Sequence, residues 1–413
     1  MTLPYRQGRA PNGLTQLTLG GIPLPRRTES QHVLVVGTTG AGKTTLLEEL
    51  IAGARTRGDR MFVCDPHGRA LAHFASTGDV VLNPFDVRSP GWSVFNEMRT
   101  DFDADRLARS VVPDAQGESA AWHHYAQQLL AAVMRALVRE GTLTTEALIR
   151  TCTAAPMSEL IPVLAGTPAA GLLEADATKA LASTRFVLSV HLMPHAHLRP
   201  GRFGIRTWIE RSAGSCFVTW RADMQAALAP LLATWLDILI NAALSLPPDP
   251  ERRLWLIVDE LAAVGVLGSL EAALTLGRKF GLCVVACLQS TAQLDHLYGR
   301  DRATTLRSCF RTLAVLAVSR TDPDTAEMLS RSLGERELIR RDESRAIGDH
   351  AGYSRTASSR LASERLVLPS EISGLADLHG FLAIPGETCI RPIELAPVDR
   401  PELVAPFQMD EPC

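Results

Sequence analysis

The sequence predicts an α/β protein: a mostly parallel sheet flanked by helices, interrupted by an inserted all-α domain. Three observations predict it. Short apolar runs alternate with helical stretches from about residue 31 to 90 and again from about 215 to 395, as in strand–helix–strand units. Between them, from Val94 to Val190, the spacing is helical and strand candidates nearly vanish. The first strand also runs into a glycine-rich loop that opens a helix.

The elements follow in order. Residues 1–30, rich in Gly, Pro and Thr, predict an extended N-terminal arm. His32–Val36 is a short apolar run of the buried parallel type, and Thr44–Ala52 reads as the first turns of a helix. Arg60–Cys64 is a second strand, ended by Asp65-Pro66-His67-Gly68, and Asp79–Leu82 a third, ended by Asn83-Pro84. In the all-α domain, residues 93–199, Trp122, Tyr125, Leu129, Val133 and Leu137 fall on one face of a helix. Thr144–Cys152 and Glu174–Leu188 continue that spacing. Strands resume at Ser215–Trp220, Leu254–Val258, Leu282–Leu288, Thr312–Val318, His379–Ile384 and Cys389–Leu395. The sheet domain is thus discontinuous, 31–92 and 200–396, followed by a C-terminal tail, 397–413, expected to be frayed over Glu402–Cys413.

Composition narrows the function. At 413 residues the chain can bury a large core, and 46% hydrophobic with 21% charged residues is ordinary for a globular protein. A net charge of −3 gives no global attraction to nucleic acid or membrane. Only Lys43, Lys179 and Lys279 are lysines, and none follows an asparagine, so a guanine-reading N-K-x-D motif is absent. The eight cysteines show no disulfide framework or zinc spacing and fit a reduced, cytoplasmic protein. The longest apolar stretch, Leu228–Leu246, contains Pro230, Asp237 and Asn241 and reads as a core helix rather than a membrane span.

The glycine-rich loop carries the chemistry. Gly37-Thr38-Thr39-Gly40-Ala41-Gly42-Lys43-Thr44 fits G-x-x-x-x-G-K-[ST] between a strand and a helix, with Thr45 following. Its backbone N–H groups and the helix N-terminus suit a β-phosphate. Lys43 is placed to reach the β- and γ-phosphates of ATP, and the Thr44 hydroxyl to hold Mg²⁺. A second half of the site is expected where Leu254–Val258 runs into Asp259-Glu260. Asp259 is the expected Mg²⁺ carboxylate and Glu260 the expected general base for water.

Other candidates have two readings. Gln289, ending a later strand, either senses the γ-phosphate or serves a local turn. Arg278 either answers a helix C-terminal dipole or acts as a finger in a neighbouring subunit's site. His191, His195 and His197 are separated by Pro194 and lack completing ligands, so no metal is expected there. The basic, Ser-rich stretch 331–365 is either a solvated face or a flexible grip on a phosphate backbone.

Val35–Thr44, Arg253–Ala262, Gly277–Leu282 continuing to Leu288–Thr291, and Ser319–Pro323 together resemble the type IV coupling proteins of bacterial conjugation, of the TrwB/TraD branch. The resemblance spans about residues 20 to 395. It implies a hexameric, RecA-like ATPase that moves single-stranded DNA to a secretion channel. In the family, Lys43 and Thr44 would bind Mg-ATP, Asp259 the metal and Glu260 the water. Gln289 matches the glutamine after the next strand, and Arg278 the finger in trans. Partners implied are single- and double-stranded DNA without sequence preference, the relaxase and relaxosome, and secretion-system components. Family members begin with transmembrane helices at the cytoplasmic face of the inner membrane, and none is read in this sequence. The expectation is therefore either a soluble fragment or a naturally membrane-free relative, a homo-hexamer or, without the anchor, a monomer. Alternative readings are a nucleotide-bound adaptor that recruits relaxase without turnover, an energiser of protein secretion, and a chromosome-segregation translocase.

Overall fold

Seven parallel strands carry the molecule, and the order in which they lie decides where a ligand can bind. The computed structural model describes residues 16–174, 177–347 and 353–409. In chain order the strands are β1 (Thr18–Leu19), β2 (Ile22–Pro23), β3 (Val33–Val36), β4 (Arg60–Pro66), β5 (Val80–Leu82), β6 (Cys216–Trp220) and β7 (Leu254–Val258). They continue with β8 (Leu282–Leu288), β9 (Thr312–Leu316), β10 (Glu335–Ile347), β11 (Tyr353–Arg365), β12 (His379–Ala383) and β13 (Arg391–Glu394). The main sheet has nine strands in the order β13-β12-β9-β3-β8-β7-β4-β6-β5. From β9 to β5 all neighbours are parallel, while β12 and β13 close one edge antiparallel. Parallel strands buried on both faces require continuous apolar runs, and β6, β7 and β8 are buried at every position.

Alternate residues of β3 point into two cores. Val33 and Val35 face the helix Lys43–Arg57, while Leu34 and Val36 face a larger core that runs on into the helical domain. Between β5 and β6 every described helix or strand is helical, including Asp103–Val111, Ala120–Glu140 and Thr178–Leu192. Leu129, Val133 and Leu137 of Ala120–Glu140 are buried, but Tyr125 is exposed although the next residue, Ala126, is fully buried. The helix Gln225–Leu244 packs under both parts. Although a segment over Ala222–Leu244 is long and apolar enough to cross a membrane, 72% of its most apolar window is buried inside the protein.

Three segments differ from the sequence reading. Residues 16–30 are not simply extended: β1 and β2 form a hairpin whose Thr18 hydroxyl, Gly20 N–H and Gly21 N–H all donate to Glu49 on the Lys43–Arg57 helix. Residues 1–15 lie outside the described chain. The tail is pinned rather than frayed up to residue 409: Leu403 N–H donates to the Ala72 carbonyl at 2.7 Å, and Gln408 N–H to Asp86 at 3.0 Å. The basic stretch forms an antiparallel ribbon, β10 with β11, registering Glu335 with Arg365 and Ile347 with Tyr353. Its described side chains form cross-strand and local ion pairs, as in Arg336–Glu364 and Arg365–Glu335, which offset their charge.

Candidate nucleotide site

The site lies at the carboxyl ends of β3, β8, β7 and β4, in a cleft of about 380 Å³. Ligands of open α/β sheets bind at this end, where neighbouring connections diverge. β3 sits between β8 and β9, and the loop leaving it is held from both sides: Gly37 N–H donates to the Leu288 carbonyl at 3.1 Å and Thr38 N–H to the Ala317 carbonyl at 2.8 Å. Gly42 has φ 109°, and a Cβ there would sit 2.8 Å from Leu395 Cδ1. Only glycine therefore lets the helix Lys43–Arg57 start at this point.

Lys43 is buried and donates from Nζ to the carbonyls of Gly37 (2.8 Å) and Thr38 (3.0 Å), so its ammonium spans the loop's mouth. Thr44 donates from Oγ1 to Asp259 Oδ2 at 3.0 Å, joining loop and β7. Glu260 accepts from Gln289 Nε2 at 2.6 Å and from Gln293 Nε2 at 3.2 Å. Gln289 Oε1 accepts from the Thr39 hydroxyl at 3.4 Å. Thus Thr39, Lys43, Thr44, Asp259, Glu260 and Gln289 meet in one cleft, together with Gly40, Gly42 and Thr45. Burial raises the Asp259 carboxyl above its ordinary range, against the Thr44 hydroxyl and the Lys43 charge. Burial also raises Glu260, against Gln289 and Lys43. Two neighbouring carboxyls whose charge is disfavoured by burial form a site that a divalent cation would relieve. The donor set, one carboxylate and one hydroxyl facing a phosphate loop, is the oxygen chemistry Mg²⁺ takes.

Arg278 is not in this cleft. It is exposed just before β8, at the amino end of a seven-residue strand whose carboxyl end carries Gln289. That places it about 20 Å from its own chain's site, at about 3.3 Å per strand residue. Sequence reasoning missed Pro66, His67, Gln225 and Leu378, which line the cleft, and Gln293, which holds Glu260. The turn Asp65-Pro66-His67-Gly68 marked the end of β4 without indicating that His67 turns toward the site with φ 75°. Gln293 stands four residues after Gln289, one helical turn on, a spacing that could have found it. Nothing local marks Gln225. Among the described residues, no group of three His, Cys, Asp or Glu side chains is arranged to hold a metal ion.

Fold and site together define a RecA-like α/β P-loop NTPase. The model of the type IV secretion-system coupling protein DNA-binding domain matches residues 16–396, and the chain belongs to that family. The bacterial conjugative coupling protein TrwBdeltaN70, unbound, superposes with a TM-score of 0.89 at 44% identity, covering 95% of this chain and 91% of that one. The plasmid coupling protein TrwB in complex with ADP and Mg²⁺ superposes at 0.87 with 43% identity, covering 95% and 91%. The coupling protein TraD of Escherichia coli (strain K12) is 28% identical over 405 residues, 95% of this chain. The chain spans 56% of the length of that relative.

Proposed function

We propose that this chain is a DNA-dependent ATPase motor that couples a relaxosome to a type IV secretion channel and moves single-stranded DNA during conjugation. The observation that carries it is the meeting of Lys43, the Thr44–Asp259 pair and the Glu260–Gln289 pair at adjacent parallel strand ends. A pure binding module has no need of a carboxylate held beside the phosphate loop by two glutamines.

In this reading the loop Gly37–Thr45 binds the phosphates of ATP through backbone N–H groups, and Lys43 leaves its two carbonyls for the β- and γ-phosphates. Mg²⁺ held by Thr44 and Asp259 would neutralise charge on the phosphate oxygens. Glu260 takes the proton of the attacking water. Gln289, touching both Glu260 and Thr39, orients that water and registers the γ-phosphate. The complex of TrwB with ADP and Mg²⁺ supports this choice of ligand. Arg278, remote from its own cleft, serves a neighbouring subunit's γ-phosphate in a homo-hexamer. Contacts to DNA run along its backbone, so single and double strands bind without sequence preference. Relaxase and secretion components dock on the assembled ring at the cytoplasmic face of the membrane.

ATP hydrolysis by the purified chain, with and without single-stranded DNA and across protein concentrations, tests this. Turnover should rise with DNA and more than linearly with protein. Nucleotide binding with flat, DNA-indifferent hydrolysis would overturn the motor and favour an adaptor.

A further inference from the structure

A second cavity, of about 580 Å³, opens between the helical domain and the sheet domain. Its floor is one face of the helix Gln225–Leu244, where Ala226, Ala229, Pro230 and Ala233 fall at helical spacing. Small side chains there leave a flat, apolar surface. The walls are different in kind. His123, His191 and the Asp114 carboxylate, which accepts from Gln127 Nε2 at 2.8 Å, come from the helical domain, the two rings edge to face with centroids 5.6 Å apart. His296 and Arg302, the latter 3.5 Å from Glu271, come from the sheet domain. The Arg302 guanidinium lies 5.4 Å from the centre of the Tyr298 ring. His191 Nδ1 is shut from solvent and has no hydrogen-bond partner among the described residues, a cost that an incoming donor or acceptor would remove.

The cavity is also one helix away from the nucleotide cleft. Gln293 donates to Glu260 at 3.2 Å and accepts from Gln289 N–H at 2.8 Å. The same helix, Ala292–Tyr298, ends in the cavity wall. Tyr298 accepts from Leu267 N–H at 3.0 Å through its hydroxyl, and its carbonyl accepts from Gln116 Nε2 at 3.2 Å. Gly265 and Val266, which follow Glu260 by one short turn, form another part of the wall. A ligand here would touch the two segments that leave Glu260 and Gln289, and would hold the helical domain against them.

We propose that this cavity takes one nucleotide of a single-stranded DNA, its base on the small-residue floor and its phosphate toward Arg302 and His296, and that filling it stimulates hydrolysis at Glu260. The volume, the flat floor and the imidazole and guanidinium rim suit a base with an attached phosphate. The inference rests on the DNA-motor reading and names a contact point within it.

Three measurements on the whole chain test it. An oligothymidylate carrying 5-iodouracil, irradiated with the protein, should crosslink to peptides containing His123, His296 or Tyr298. Ala229→Phe, which fills the floor, and His296→Ala should keep basal ATPase and weaken oligothymidylate binding at least tenfold, with DNA stimulation lost. At a concentration equal to the oligonucleotide's, dTMP should not compete with it, since a free nucleotide lacks the strand's other phosphate contacts. Crosslinks elsewhere, or stimulation intact in a folded Ala229→Phe variant, would overturn the site while leaving the motor reading in place. Equal competition by dTMP would make it a mononucleotide site and overturn it as well. A wild-type chain that neither binds nor responds to DNA sinks both.

Discussion

Gln289 and Glu260 face each other from the ends of neighbouring strands, Nε2 donating to Oε2 at 2.6 Å. The bond holds the carboxylate beside the phosphate loop. Because a general base contributes about 10²–10⁴-fold, Glu260→Gln should lower ATP turnover at least a hundredfold while nucleotide still binds. Gln289→Ala leaves Gln293 on Glu260 and should cost about tenfold. Steady-state hydrolysis beside equilibrium binding of a fluorescent ATP analogue separates the two effects. Equal loss of binding and turnover would assign Glu260 to binding alone.

Thr44 and Asp259 meet at 3.0 Å across the cleft. Asp259→Asn removes the carboxylate bonded to Thr44 in the phosphate-loop helix's first turn, and the Mg²⁺ concentration for half-maximal hydrolysis should rise by tenfold or more. A Mg²⁺ titration of hydrolysis checks it, and an unchanged midpoint would remove Asp259 from the metal site.

Acid should destabilise the fold through its buried imidazoles. His32 accepts from Val284 N–H at 3.1 Å through Nδ1 and reaches the Leu274 carbonyl at 3.1 Å through Nε2. Burial lowers its pKa to about 4. It therefore stays neutral when folded but takes a proton when unfolded below about pH 6.5. The unfolded state binds more protons in that window, so stability is lost as pH falls from about 6.5 to about 4. Between pH 7 and 4.5 the wild type should lose about 2 kcal/mol more than His32→Asn. Asparagine also tolerates the φ of 64° at this position. Urea unfolding at both pH values measures the difference, and parallel losses would contradict it.

Glu29 is the hub of a buried charge cluster behind the sheet. It accepts from Arg57 at 2.7 and 3.0 Å and from Arg253 at 2.6 Å. Side-chain exposures are 1% for Glu29, 3% for Arg57 and 4% for Arg253. Glu29→Ala leaves the buried Arg253 guanidinium without a carboxylate and Arg57 with Asp59 alone, and should cost about 3–5 kcal/mol. Thermal unfolding should show the loss with the nucleotide cleft otherwise intact. A change under 1 kcal/mol would mean that water or Asp59 replaces the carboxylate.

The seven parallel strands of the main sheet were legible because parallel strands buried on both faces must be apolar without interruption, and turn residues bound them; the antiparallel edge strands β12 and β13 showed as shorter, half-apolar runs. The phosphate loop and Asp259-Glu260 were legible for a related reason: their residue types are dictated by backbone φ or by charge. The ribbon β10–β11 was not, because an exposed ribbon needs no apolar alternation and its polar, arginine-rich sequence reads as loop. Tyr125, exposed beside the buried Ala126, shows the limit of helical spacing, which says which side chains share a face but not how fully each is covered. His67 and Gln225 enter the cleft through tertiary placement alone. The Glu29 cluster joins residues 28 and 224 positions apart, a pairing no local pattern announces.

The strand that leads into the phosphate loop comes early in the chain, but both its neighbours come late. β3 is flanked by β8 and β9, and Thr39 is bonded to a residue 250 positions further on. On the ribosome, β3 and its glycine loop must wait with both edges unpaired until most of the chain has emerged. Loop-closure entropy makes such pairings slow, and unpaired edges invite aggregation. Messages cut short before the ninth strand would therefore yield chains that carry the complete phosphate-loop sequence and no working site, and these would be natural clients of chaperones and proteases.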